Sequence, residues 1–248
     1  MKSLIVFLYV LIAAPQQNLF DQATEAYNNA QYQEAVDLYE QILEKDQHSA
    51  ELYFNLGNAH YQLGQVGPSV YYFEKALMLK PDDPEILNNL NYAQNMRIDA
   101  IETVPRSFFG RLNDSVLSVF HFDQWARIAI VFVLLAVLSF LLYQWIGSSS
   151  SKRFFFIVSL GSVGLALLVL VLGYFDYQQY LNEQPAVIYS SQVQFSSAPN
   201  ARGEILFTLH EGTKVNVLEQ YDQWAKVELA DGQTGWLLAE SLRLLKDF

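Results

Sequence analysis

Residues 53–81, YFNLGNAHYQLGQVGPSVYYFEKALMLKP, read as one helix pair that belongs to a longer series. When the chain is laid on itself with a shift of 34 residues, Tyr32-Gln-Glu-Ala35-Val-Asp-Leu-Tyr39 falls on Val66-Gly-Pro-Ser69-Val-Tyr-Tyr-Phe73, and Ile42 falls on Ala76. A fixed period of this length marks stacked helix pairs, each burying its apolar face only against the next. The small residues Ala35, Gly57, Ser69 and Ala76 stand where such helices touch. Another first helix is expected over Pro84–Asn95, with Leu87 and Leu90 in place but no recognisable partner helix after it. Residues 18–102 thus give two units and a closing helix, near the minimum for a stable stack.

The order Tyr53, Leu56, Gly57, Gly64, Ser69, Phe73, Ala76, Pro81 resembles the tetratricopeptide repeat. The preceding unit matches at Leu19, Ala23, Ala35 and Tyr39 and departs at Ile42, where the pattern has a small residue, and at Gln47, where it has proline. The resemblance implies an inner surface lined by the first helices. In this register they present Phe20, Tyr27, Phe54, Asn58, Tyr61, Asn88, Tyr92 and Asn95, a candidate groove for a peptide or helix. Two readings stand for these residues, because Asn58 is common in the pattern and aromatics also pack between helices. None of the eight positions holds Lys or Arg, which argues against a groove that clamps a terminal carboxylate with charge-assisted hydrogen bonds.

Hydrophobic residues make up 52% of the 248, against 17% charged, and they concentrate in three runs. Leu4–Ala14, behind Met-Lys-Ser, has the length of a signal-peptide core and falls short of the roughly 20 residues of a spanning helix. Residues 1–15 are therefore expected to direct export, either cleaved near Ala13 or Ala14 or kept as an anchor. Residues 126–146 and 154–175 are each long enough to cross a bilayer, with Arg127 at the edge of the first as their only charge. The connection 147–153, GSSSSKR, is so short that the spans form a hairpin and the segments on either side of it share one face of the membrane. Lys152 and Arg153 favour a cytoplasmic loop, but Arg111 and Arg127 nearly balance them, so the export signal decides the orientation. Trp125, Trp145, Tyr143, Tyr174 and Tyr177 fall near the interfaces, where amphipathic rings are favoured. Residues 105–124 carry Phe108, Phe109, Leu112, Val116, Val119 and Phe120 mostly three or four apart. They read as an amphipathic helix, lying on the membrane or packed back on the array.

From Ala186 the pattern becomes short alternating runs. Val215 and Val217 alternate with Lys214 and Asn216, Ala225, Val227 and Leu229 alternate with Lys226 and Glu228, and Asp231-Gly232 supplies a hairpin turn. Five short strands in residues 186–248 predict a small β barrel. The string from Ser197-Ala-Pro199 through Leu206-Phe-Thr-Leu209-His-Glu211-Gly-Thr-Lys-Val215 and Trp224-Ala-Lys-Val227 to Gly235-Trp236-Leu237 is similar to the bacterial SH3 family. That family implies binding of cell-wall peptides or of proteins. Tyr189, Phe195, Tyr221, Trp224 and Trp236 are the aromatics available for a surface groove. For Trp224 and Trp236 the first expectation is core, since a barrel this small depends on a few large side chains.

The chain has no cysteine, which removes disulfides, thiolate metal sites and Cys nucleophiles. Its net charge is -11, and residues 18–102 hold fourteen Asp and Glu against Lys45, Lys75, Lys80 and Arg97. With no basic stripe to displace counterions, a nucleic-acid partner is excluded. His48, His60, His121 and His210 lack zinc-site spacing, and neither a nucleophile elbow nor a phosphate-binding glycine loop occurs, so no metal, cofactor or catalytic residue is expected. The expected class is a multi-domain membrane protein: an all-α tetratricopeptide array, a two-helix transmembrane hairpin and an all-β SH3-like barrel. The sequence alone does not decide whether the two soluble modules touch.

Signal, repeats, hairpin and SH3-like string in this order resemble the BatE-like proteins of the Bacteroides aerotolerance family. The resemblance implies a periplasm-facing scaffold acting with von Willebrand A-type membrane proteins and a MoxR-type ATPase, in tolerance of oxygen or envelope stress. The competing reading is a sensor or tether that grips peptidoglycan peptides.

Overall fold

In the computed structural model, which describes residues 19–101, 120, 122–200 and 202–246, the 34-residue period appears as α1 (19–28), α2 (Tyr32–Leu43), α3 (Ala50–Gln62), α4 (Val66–Leu79) and α5 (Pro84–Asn95). The helix starts are set locally. Ser49 Oγ accepts the Leu52 N–H at 3.1 Å ahead of α3. The Asp83 carboxylate accepts the Glu85 and Ile86 N–H groups while Pro84 takes the first helical position of α5. Ala35, Gly57, Ser69 and Ala76 are all buried at helix contacts, and Ser69 Oγ donates to the Gly57 carbonyl at 2.9 Å.

Helix α4 departs from the usual one-sided stripe, because every residue from Gly67 to Ala76 is buried. Helices α3 and α5 cover part of it and strand β1 (Pro185–Ile188) covers more. Six further strands follow: β2 (Gln192–Ser196), β3 (Ile205–His210), β4 (Lys214–Tyr221), β5 (Trp224–Glu228), β6 (Thr234–Leu238) and β7 (Leu242–Leu244). They form one antiparallel sheet in the order β3-β2-β6-β5-β4-β1-β7. The strand count is seven, not the five expected, because β1 and β7 are too short to show alternation. Ala225 and Val227 of β5 and Gly235 and Leu237 of β6 point inward, as the period-2 pattern requires.

The array and the sheet form one compact unit. Val187 and Leu245 of the sheet belong to the same buried cluster as Tyr39, Tyr53, Leu56 and Phe73 of the helices, while the rest of the sheet has its own core around Ile188, Phe195, Leu209 and Leu237. The chain after α5 pairs with no helix among the described residues. Arg97 packs beside Gly212, Asp99 bonds to residues 210 and 213, and Ile101 packs against the sheet core.

Among the described residues, 120 and 122–183 form the second unit. Helices α6 (Phe122–Trp145) and α7 (Ser149–Asn182) are both long and apolar enough to cross a membrane. Trp125, Ala129, Ala136 and Ser139 on one and Ser162, Ala166 and Val169 on the other are buried, at spacings of three, four or seven that keep one seam per helix. Small residues let the helices approach, and Ser159 Oγ donates to the Ala136 carbonyl at 3.0 Å. The expected connection 147–153 is shorter than its composition indicated, since Ser149–Arg153 already belong to α7, and serine is well accommodated where a helix begins. Helix α7 also runs past the expected end at Phe175, to Asn182, with Pro185 just beyond. The expected export signal, 1–15, lies outside the described residues. So does the amphipathic helix 105–124, except for Phe120 and for residues 122–124, which open α6.

Candidate functional site

The joint between array and sheet is a set of paired carboxylates. Asp99 Oδ2 accepts the His210 backbone N–H at 2.6 Å and the Thr213 hydroxyl at 2.8 Å, and Asp99 Oδ1 lies 2.7 Å from His210 Nδ1. Burial works against ionisation of Asp99, but these bonds and the charge of the His210 ring outweigh it and hold the carboxyl below its ordinary range. Glu74, buried on α4, receives Lys214 Nζ at 2.7 Å, and Glu211 accepts the Gly67 N–H at 2.8 Å. Gly212 sits at the tip of this approach with φ +81, and a side chain there would press on Val66 at 3.0 Å and on Arg97 at 3.1 Å. Tyr189 closes the joint, edge-on to Tyr71 with centroids 6.0 Å apart and under the Arg243 guanidinium at 5.2 Å. Burial pushes its phenol up.

The inner face of the array keeps its ladder. Phe20, Phe54 and Asn88 are repeat equivalents, as are Tyr27, Tyr61 and Asn95. Phe20 packs edge-on against Tyr39 at 5.5 Å, Phe54 leans on Phe73 at 5.8 Å, and Tyr61 packs against the core, so these three are half-buried. Tyr27 is half-buried too, edge-on to Tyr32, and burial raises its phenol although Gln62 bonds to it. Asn58 accepts from Asn89 Nδ2 at 2.8 Å across α3 and α5. Asn88, Tyr92 and Asn95 stand in the open on α5, with Tyr92 at 53% exposure. Phe54 also lines a recess of about 360 Å³ with Ala50, Glu51, Asn55, Lys80, Asp83, Glu85 and Ile86.

The five aromatics of the sheet do not share one groove. Phe195 is fully buried, its ring stacked on Phe207 at 4.7 Å and pressed so close to Gly235 that a Cβ there would lie 2.5 Å away. Tyr189 faces the array. Tyr221 is exposed at the β4–β5 turn. Trp224 and Trp236 are half-buried, not core, because each lies on the outward parity of its strand, Trp224 with Lys226 and Glu228, Trp236 between the inward Gly235 and Leu237. Of the five, Trp224 alone lines a recess of about 390 Å³, with Ser190, Gln192, Gln194, Thr208, Leu238 and Glu240.

These two architectures match known sequence families. Residues 20–84 match the tetratricopeptide repeat, and residues 197–243 match the bacterial SH3 domain. No curated protein matches the chain.

Strand β1 together with Glu211 and Lys214 covers α4, the outer helix of the second repeat unit, while α3 and α5 line the 360 Å³ recess. Among the described residues no group of three His, Asp or Glu side chains is placed to hold a metal ion. The pair Asp99–His210 spans 111 positions of sequence and could not be read from spacing. Glu51 and Glu85 could have been, since they stand 34 apart at equivalent repeat positions.

Proposed function

We propose that this protein is a scaffold without chemistry of its own, held in a bacterial inner membrane by α6 and α7, with its repeat and SH3 domain in the periplasm. A tetratricopeptide repeat and a bacterial SH3 domain both support a binding role. One observation carries the reading: the chain before the hairpin and the chain after it meet in a single unit, stitched by Asp99, Glu74 and Glu211, whose inner face stays open. A union of both flanks fits an even number of crossings, and apolar helices with exposed outer faces fit lipid around them. Anchored at the surface, two weak contacts reinforce each other through effective concentration. By family resemblance, the complex would serve oxygen or envelope-stress tolerance with von Willebrand A-type membrane proteins and a MoxR-type ATPase.

Protease added to intact spheroplasts is expected to degrade both the repeat and the SH3 domain while a cytoplasmic marker survives; protection of both would place the scaffold in the cytoplasm. The Trp224 and Glu240 recess favours a second reading, a tether to peptidoglycan peptides. Retention of the detergent-solubilised full chain on purified cell wall, lost in Trp224→Ala, would support the tether, and no retention would leave the scaffold.

A further inference from the structure

The inner face of the repeat has a charge pattern that its period alone does not demand. Glu51 and Glu85 are 34 residues apart, so they occupy the same turn of successive inner helices, and both are exposed beside Phe54. Both carboxylates line one recess together with Phe54 and Ile86.

Most of the basic side chains of the repeat are placed away from this face. Lys75 is buried, its ammonium 4.9 Å above the Tyr53 ring and 5.3 Å from that of Tyr71. Arg97 donates to the Gln94 carbonyl and packs by Gly212 of the SH3 domain. Lys45 follows α2, an outer helix. Lys80 alone reaches the recess, where Asp83 is engaged in capping α5. The recess thus sets two exposed carboxylates against one ammonium around an aromatic floor.

We propose that this groove selects a protein segment carrying Lys or Arg on both sides of an apolar side chain, the apolar group seated on Phe54 and the cations on Glu51 and Glu85. The proposal rests on the groove reading above and adds the chemistry of the partner. Exposed ion pairs contribute little each, so their role is to choose among segments that the apolar floor would hold alike.

The test uses the full chain in detergent micelles and fluorescence anisotropy with three sets of labelled synthetic peptides, each centred on Phe and flanked by Lys and Arg, by Gln, or by Glu. The basic set is expected to bind about tenfold tighter than the Gln set at low salt, with the advantage shrinking as salt rises. E51Q/E85Q should bring the basic set down to the Gln level, whereas E34Q/D37N, on the outer helix α2, should leave the advantage intact. F54A should weaken all three sets alike. Equal binding of the Gln or Glu sets, or loss of the advantage equally in E34Q/D37N, overturns the charge selection while leaving the groove. Binding that is indifferent to F54A overturns the groove reading, and this inference with it.

Discussion

Helix α4 and the pair α6 and α7 share an apolar composition and differ in what lies over them. In α4 the residues from Gly67 to Ala76 are all buried, because α3 and α5 cover part of the helix and the SH3 domain covers more. In α6 and α7 only a seam is buried, and Leu134, Val137, Leu141, Leu167 and Leu170 point outward in the open. An apolar helix needs cover on every face. For α4 the chain provides it, and the cover is polar enough to admit Glu74 and Lys75 with partners. For the hairpin, whose residues 128–145 and 154–175 carry no charge, a lipid environment is the cover that our reading assigns.

The sharpest way to break this contrast is Leu245→Ala, which opens the shared core and should cost about 2–5 kcal/mol. Hydrogen exchange should then rise in α4 together with β1, and an α4 that keeps its protection would mean that the SH3 domain is not its cover. Next comes Leu134→Asp on the outward face of α6, expected to cost about 2.5–3.5 kcal/mol of membrane insertion and to raise the fraction released by alkaline extraction. An unchanged fraction would remove lipid from that face.

Smaller effects sharpen the joint. Lys214→Met strands the buried Glu74 carboxylate and should cost about 1–2 kcal/mol, a modest figure because Lys214 itself is 46% exposed. Adding Glu74→Gln should recover part of that loss in a chemical denaturation series; if it deepens the loss, the pair is not the source. The depressed Asp99 carboxyl contributes stability that is present above the ordinary carboxylate pKa and lost as the pH falls through its lower value in the fold. Asp99→Asn should flatten the denaturation midpoint in that acid range, at a cost of about 1–2 kcal/mol near neutrality.

The smallest expected effect is at His60, buried against Tyr72 with its rings 5.3 Å apart. Its Nδ1 meets Gln65 Oε1, and its Nε2 finds no partner among the described residues. Burial depresses its pKa below the ordinary imidazole value. The unfolded chain therefore takes up a proton first, and stability should decline as the pH falls below that ordinary value, a slope that His60→Phe should remove.

Much of this was legible in the residues. The 34-residue period located α2 to α5, and the caps Ser49 and Asp83 follow ordinary rules. The parity of Lys226 and Glu228 already told that Trp224 faces outward, and barrel size was the weaker guide. The bulge between Phe195 and Ser196, which turns two consecutive residues inward, depends on pairing with both β3 and β6 and leaves no local mark. The burial of Glu74 was equally hidden, because its partner Lys214 stands 140 positions away.

That distance also orders events during synthesis. The repeat leaves the ribosome first with α4 lacking its cover, and the strands that complete it follow only after the hairpin has been made, roughly 7–30 s later at about 5–20 residues per second. If α6 and α7 cross a membrane as we propose, the cover can close only when the hairpin has returned its second flank to the compartment of its first. On the proposed reading, a chain threaded with an odd number of crossings would leave the sheet-facing side of α4 uncovered and its Glu74 carboxylate without Lys214.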